Sequence, residues 1–378
     1  MSNQKPLVPE NPYVIMTPGP TQVAENVLWA RSVPFTNPDL DPDFYDYYKD
    51  TAALIGELIH TENPVYILSG EGILGLEAAV ASLTEPGDRV LVIENGVFGK
   101  GFADFVTLYG GTPVLFSGDY QRPLDVSALS EFLEKDHDFK YATVVHSDTP
   151  SGRRNPVADI GPLLKQYGIL SVVDSVTGTF AEELNVDEAK LDIVCGGSQK
   201  ALSAPPGLTF VSVSKKASKA IHARKTPIAS FYANLAVFEN YYENQWFPYT
   251  PPISDIYGLR VALENLKAEG SSGTVKESVE RHTHIAAYTR NRLEALGLTL
   301  YLKDGYSNTC TAFLVPEDLT AEDILSHAKE QYHVFLAGSF DVFAGKLIRV
   351  GHMGQNANET DIKIALDALE KTLKDLRA

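Results

Sequence analysis

Two residues of this chain are of types that could do chemistry together. Asp174 closes the apolar run Ser171-Val172-Val173-Asp174, and Lys200 follows about 26 residues later, behind Gly196-Gly197-Ser198-Gln199. The run reads as a strand, and ligands of open α/β sheets collect at the carboxyl ends of strands. A lysine amine can form a Schiff base with an aldehyde. A carboxylate can pair with a pyridinium nitrogen and keep it protonated, which makes the ring an electron sink. With the small residues Gly196–Ser198 and the turn Ala204-Pro205-Pro206-Gly207 beside it, the pair suits pyridoxal phosphate better than it suits a capping aspartate and a surface lysine.

The surrounding pattern supplies elements to position such a pair. Short apolar runs over 64–68, 89–93, 112–116, 141–146, 170–174, 192–195 and 208–213 read as strands. Helical spacing fills 72–83, 99–109, 129–135 and 160–167 between them. Apolar strands alternating with helices predict an α/β fold with a mostly parallel sheet. Near Thr250-Pro251-Pro252 the pattern changes. One long helical stretch over 254–296 is expected there. Strands near 298–302, 312–315, 334–336 and 347–350 follow, with helices near 321–331 and 359–376. This reads as a smaller α+β domain. The expected division is an N-terminal segment 1–20, a large cofactor-binding domain 21–255 and a small C-terminal domain 256–378.

Composition narrows the function. The chain has 378 residues, 44% hydrophobic and 21% charged, enough apolar material for a sizeable core. Its net charge of −17 repels phosphate backbones, so no nucleic-acid partner is expected. The two cysteines, Cys195 and Cys310, lack metal-ligand spacing and cannot staple a chain of this length. Residues 1–11 are polar, without the basic and apolar regions of a signal peptide. No apolar run reaches the length of about 18 residues that suggests a membrane span. A reduced, cytoplasmic home and no membrane partner are expected. His282 and His284 point to different helix faces, and no metal site is expected.

Several motifs in order carry a family resemblance: Thr17-Pro18-Gly19-Pro20, the 146–152 segment HSDTPSG, VVDSV around Asp174, GGSQKALSAPPG around Lys200 and GKLIRVGHMG around Arg349. Together they resemble the class V, fold-type I pyridoxal-phosphate aminotransferases, from about residue 17 to the C-terminus. Within that family the chain resembles the alanine–glyoxylate and serine–pyruvate branch. It most strongly resembles the pyridoxamine–pyruvate aminotransferases, through Gly75-Leu76-Glu77-Ala78-Ala79, the 146–152 segment and Glu71.

The resemblance implies roles for further residues. Gly70-Glu71-Gly72 ends a strand and opens a helix, where backbone amides and the helix dipole hold a phosphate. A glutamate there opposes a phosphate, and the pyridoxamine–pyruvate enzymes resemble this chain in having it. Glu71 is therefore expected to weaken phosphate binding or to contact ring substituents. Phe98 matches the aromatic that stacks on the pyridine ring, and Thr149 the hydroxyl that reaches the ring oxygen. Gln199 resembles a phosphate ligand. Thr250 matches a threonine that reaches the phosphate of a neighbouring subunit, implying a homodimer or higher homo-oligomer with the site at the interface. Phe247 stands where relatives often carry tyrosine, with Tyr249 a possible substitute. Arg349 matches the arginine that grips the substrate's carboxylate, and Gly19 belongs to the segment that closes over the substrate. Where pyridoxamine–pyruvate enzymes carry a second arginine about nine residues before the first, this chain has Phe340.

The reaction so implied is transamination between a donor amine or amino acid and a small 2-oxo acid. The best reading is pyridoxamine plus pyruvate to pyridoxal plus alanine, with unphosphorylated pyridoxal or pyridoxamine as substrate. The alternative is a pyridoxal-phosphate-dependent alanine/serine–glyoxylate or –pyruvate aminotransferase. A lyase such as a cysteine desulfurase would need a mobile, exposed cysteine, and Cys195 and Cys310 both sit in strand-like runs. A non-catalytic pyridoxal-phosphate sensor would need a DNA-binding module for which no spare segment exists.

Overall fold

Seven strands share one sheet in the spatial order Val65–Ser69, Leu208–Val213, Ile193–Gly197, Leu170–Asp174, Tyr141–Val145, Arg89–Glu94, Thr112–Ser117. The computed structural model describes residues 11–378, so residues 1–10 of the expected N-terminal segment lie outside the described residues. All the neighbouring strands are parallel except Leu208–Val213, which is antiparallel to both of its neighbours. The four strands beginning at Tyr141, Leu170, Ile193 and Leu208 are buried at every residue. That is why they read as unbroken apolar runs rather than alternating ones. The edge strand Thr112–Ser117 is partly exposed along its length. The opposite edge is closed by an aromatic cluster: the Tyr48 hydroxyl donates to the Ile67 carbonyl (2.7 Å) and accepts from the Ile67 amide (2.9 Å). Phe247 stacks on Tyr45 beside it, with ring centroids 4.6 Å apart.

The order of strands fixes where a ligand can sit. From Arg89–Glu94 the chain moves outward to Thr112–Ser117, then returns to Tyr141–Val145 and proceeds the other way. The carboxyl ends of these two neighbours diverge into a crevice at the reversal. Asn95–Phe98 follows one strand, and the buried stretch His146–Thr149 follows the other.

A second core gathers Met16, Ile285, Leu293, Phe313, Ile348, Val350, Ile362 and Leu369. It packs a three-stranded antiparallel sheet, ordered Cys310–Leu314, Leu347–Gly351, Ala337–Gly338, against the helices Lys276–Ala295, Ala321–Tyr332 and Glu359–Asp375. Val14–Ile15 joins this unit by pairing in parallel with Val334–Phe335.

Three local expectations change. The helical stretch expected over 254–296 is two helices, Ile253–Ala268 and Lys276–Ala295. Gly270-Ser271-Ser272-Gly273 breaks it, with Gly273 at a positive φ of 66°. The strand expected near 298–302 is a single bridge between Leu300 and Phe313. The strand expected over 192–195 extends through Gly196 and Gly197. Gly196 belongs there because a Cβ would lie 2.1 Å from the Phe210 ring on the adjoining strand.

Candidate active site

Asp174 and Lys200 line one cavity of about 310 Å³, together with Glu71, Gly72, Phe98, Ser147, Thr149, Val176, Thr177, Gln199 and Pro206 among others. Each comes from the carboxyl end of a sheet strand or the loop beyond it. Asp174 ends its strand with Oδ1 accepting from the Val176 amide at 3.0 Å. Burial pushes its carboxyl up to about 6, against that hydrogen bond and the Lys200 charge. A protonated ring nitrogen would be the cation this carboxylate lacks.

Lys200 sits three residues past the strand Ile193–Gly197. Its Nζ donates to the Pro18 carbonyl at 2.7 Å, and burial lowers its pKa. Gly19 makes that approach possible. Its φ is +92°, and a Cβ there would lie 2.6–3.0 Å from the lysine's Cδ, Nζ and Cε. Thr21 completes the clasp, its hydroxyl donating to the Lys200 carbonyl at 2.9 Å. Motif reading found Gly19 here but missed Pro18 and Thr21 as lysine partners, because a backbone acceptor leaves no mark on residue type.

At the other end, Glu71 caps the helix Gly72–Leu83. Its Oε1 accepts from the Ile73 amide (3.1 Å) and its Oε2 from Gln199 Nε2 (3.1 Å). The Gly70 amide is taken by the Gly207 carbonyl at 2.8 Å. The chain's own carboxylate therefore occupies the helix terminus that would favour an anion. Gln199 Oε1 is buried without a partner.

Phe98 stands in the first turn of the helix Val97–Leu108, half-buried, with Phe340 edge-on at 5.8 Å. The Phe340 ring also lies 5.5 Å from the Arg349 guanidinium. Arg349, on the strand Leu347–Gly351, donates to the Gly338 carbonyl from Nε (2.9 Å) and Nη2 (2.5 Å) and to the Thr149 carbonyl from Nη1 (3.4 Å). Burial lowers its pKa, and no carboxylate pairs with it among the described residues. A substrate carboxylate would complete it.

Thr250 lies apart from this cavity. It is exposed, in a cleft with Phe35–Asp39 and Pro251–Asp255, its hydroxyl 3.5 Å from Asp39 Oδ2. Phe247 is core, and Tyr249 is stacked on Tyr232 at 4.2 Å with its hydroxyl buried and unpartnered. Cys195 and Cys310 are buried, and burial pushes the Cys310 thiol to about 12. No group of three or more His, Cys, Asp or Glu residues positioned for a metal occurs among the described residues.

The ring end fits pyridoxal: a buried carboxylate, an amine with lowered pKa, and an aromatic edge around one cavity. Comparison with known proteins agrees. The family described as "Aminotransferase class-V" matches residues 31–339, and the chain belongs to it. An uncharacterized aminotransferase of Methanocaldococcus jannaschii is 34% identical over 96% of this chain and 93% of its own length. Pyridoxamine–pyruvate transaminase of Mesorhizobium japonicum is 33% identical over 95% of this chain and 91% of its own. The crystal structure of ureidoglycine–glyoxylate aminotransferase from Bacillus subtilis superposes with a TM-score of 0.94, at 30% identity, covering 99% of this chain and 96% of that one. The protein is thus an aminotransferase of the fold-type I architecture, and its family implies pyridoxal phosphate and amino- and oxo-acid substrates. No helix among the described residues is long and apolar enough to cross a membrane.

Proposed function

We propose that this aminotransferase is of the pyridoxamine–pyruvate type, converting pyridoxamine and pyruvate to pyridoxal and alanine. The observation that carries the reading is Glu71, whose carboxylate sits on the helix terminus and on Gln199. A phosphate would have to displace it or lie against it, whereas an unphosphorylated vitamer would not. Relatedness to a pyridoxamine–pyruvate transaminase supports the same reading.

When bound, pyridoxal or its phosphate supplies an aldehyde carbon for nitrogen and a ring that accepts electrons. Asp174 would hold the proton on the ring nitrogen, and its burial would make that charge pair strong. Lys200 Nζ, released from Pro18, would move a proton to and from the amine-bearing carbon, and burial shifts it towards the free amine that a base requires. Phe98 and Thr149 line the same cavity, where Phe98 would cover the ring face and the Thr149 hydroxyl would hold a ring oxygen. Arg349 exchanges the Thr149 carbonyl for the carboxylate of the oxo acid, held by the planar fork.

A second reading, a pyridoxal-phosphate-dependent alanine/serine–glyoxylate aminotransferase, is favoured by Phe340. It puts an aromatic ring against Arg349 where the first reading expects a second guanidinium. In both readings the working unit is a homodimer. Phe35, in the cleft of exposed Thr250, and the adjoining Leu40 are exposed at 63% and 79%, the kind of apolar surface that a second copy covers.

Absorbance after exhaustive dialysis separates the two. A colourless protein that gains the visible band with pyridoxal, and loses it on adding alanine, has the vitamin as substrate. A retained band that pyridoxal cannot create overturns the first reading.

A further inference from the structure

A second carboxylate is buried near the cavity and has no part in the chemistry above. Glu182 is 1% exposed. Its Oε1 accepts from the Asn308 amide (2.6 Å) and the Ser307 hydroxyl (2.9 Å). Its Oε2 makes no hydrogen bond and lies 3.5 Å from Arg154 Nη1, on a side chain 45% exposed. Ser307 Oγ is in turn 2.7 Å from Ser147 Oγ, and Thr309 Oγ1 lies 2.6 Å from the first hydroxyl and 3.2 Å from the second. Ser147 lines the Lys200 cavity. Two hydroxyls, Ser147 and Ser307, therefore run from a residue of the cavity wall to a buried acid across the junction of the two cores.

A hydroxyl has one proton to give and two lone pairs to accept with, so such a row can point either way. With Glu182 ionised, Ser307 donates to it and accepts from Ser147. With Glu182 protonated, the acid donates to Ser307, Ser307 to Ser147, and Ser147 points its proton at the cavity. A neutral amide would satisfy Ser307 and Asn308 equally well, so those contacts do not require a charge that is costly to bury.

We propose that Glu182 stores a proton for the Lys200 cavity and exchanges it through Ser307 and Ser147. A proton leaving the Lys200 ammonium, or the ammonium of an entering amine, passes to Ser147 Oγ. Ser147 passes its own proton to Ser307 Oγ, and Ser307 its own to Glu182 Oε1. The cavity loses one proton, the carboxylate becomes a carboxylic acid, and no other bond changes. Glu182 touches no reacting atom; it is a positioning residue for a proton. Burial raises its pKa to about 7, against the opposing pull of Asn308, Arg154 and Ser307, so it can take or give a proton near neutrality. The charged groups around it are Arg154 and, from the helix Lys276–Ala295, Arg290. The neighbouring imidazoles His146 and His352 are neutral there, lowered by burial to about 3 and about 4.

The proposal rests on the family chemistry at Lys200 and not on which vitamer is bound. The test therefore follows formation of the visible band at Lys200 on adding pyridoxal, or pyridoxal phosphate if pyridoxal does not bind. It is run across neutral pH, in H₂O and D₂O, for the wild type, Glu182→Gln, Ser147→Ala, Ser307→Ala and Ser307→Thr. The wild-type rate is expected to bend near pH 7 with a solvent isotope effect. The bend should vanish, and the rate fall about tenfold or more, in the first three variants, while Ser307→Thr restores both. Infrared titration should show a carboxyl stretch near pH 7 that Glu182→Gln removes. A Ser147→Ala protein with the wild-type pH profile overturns the relay, and that variant leaves the Glu182–Ser307 bond intact if Glu182→Gln fails to fold. A missing infrared band overturns it independently. No visible band in the wild type would overturn the Lys200 chemistry and the relay together.

Discussion

The two ends of the Lys200 cavity are built on opposite electrostatic principles. At the ring end, Asp174 is buried with one backbone hydrogen bond and no guanidinium, so its carboxyl rises to about 6. That end is unfinished without a cationic ligand. At the other end, Glu71 is exposed and satisfied by a helix amide and an amide side chain. The Glu71 carboxylate at that end is satisfied without any ligand. The difference teaches that one cavity can demand a ring while opposing a charged group attached to it.

The largest effect tests the ring end outright. Lys200→Ala should abolish turnover and the visible band together, and turnover retained in that variant would exclude the mechanism. Asp174→Asn comes next, with an expected fall in kcat of about 10²–10³-fold measured at saturating substrate. It also reveals the cost of the unfinished end. A carboxyl raised from near 3.8 to about 6 binds more protons folded than unfolded in that window. The stability of the ligand-free protein therefore falls as pH rises from about 4 to 6 and stays lower above it. Asp174→Asn removes that loss, and should stabilise the ligand-free protein above pH 6 by about 3 kcal/mol in urea unfolding. A variant that is less active yet more stable would confirm the contrast.

The other end calls for gentler changes. Glu71→Ser frees the helix terminus and removes a negative charge, so the affinity for pyridoxal phosphate relative to pyridoxal should rise about tenfold. Equal affinities before and after, by fluorescence or absorbance titration, would sink the role given to Glu71. Smallest is Phe340→Ala. It removes the ring edge-on to Phe98, a contact worth about 0.5–1.5 kcal/mol, so KM for the oxo acid should change severalfold while kcat holds. A collapse of kcat instead would move Phe340 from the substrate pocket to the scaffold.

Much of this was legible from residue order. Buried strands read as unbroken apolar runs, and strand-end motifs placed Asp174, Glu71, Phe98, Thr149, Gln199 and Lys200 around one cavity. What was not legible depended on distance rather than type. The Lys200–Pro18 hydrogen bond spans 182 residues and uses a carbonyl that every residue possesses. The row from Ser147 to Glu182 joins segments 125 to 160 residues apart through hydroxyls common on any surface. The split near Gly270 was available from the two glycines but is hidden by the helical residues on either side. The helix Glu25–Arg31 went unread because it is short and buries only Val27, and Pro42–Leu58 because polar positions mask its buried stripe, although Asp41 caps it and proline opens it.

The early segment that clasps Lys200 has a consequence for biosynthesis. Val14–Ile15 pairs with Val334–Phe335, Met16 is buried in the second core, and Asn356 donates to the Ile15 carbonyl across 341 residues of sequence. A ribosome makes this stretch well before its partners, which lie up to 341 residues further along. The segment that carries Pro18 to the lysine is therefore anchored from the far end of the sequence, and its placement is coupled to formation of the second core.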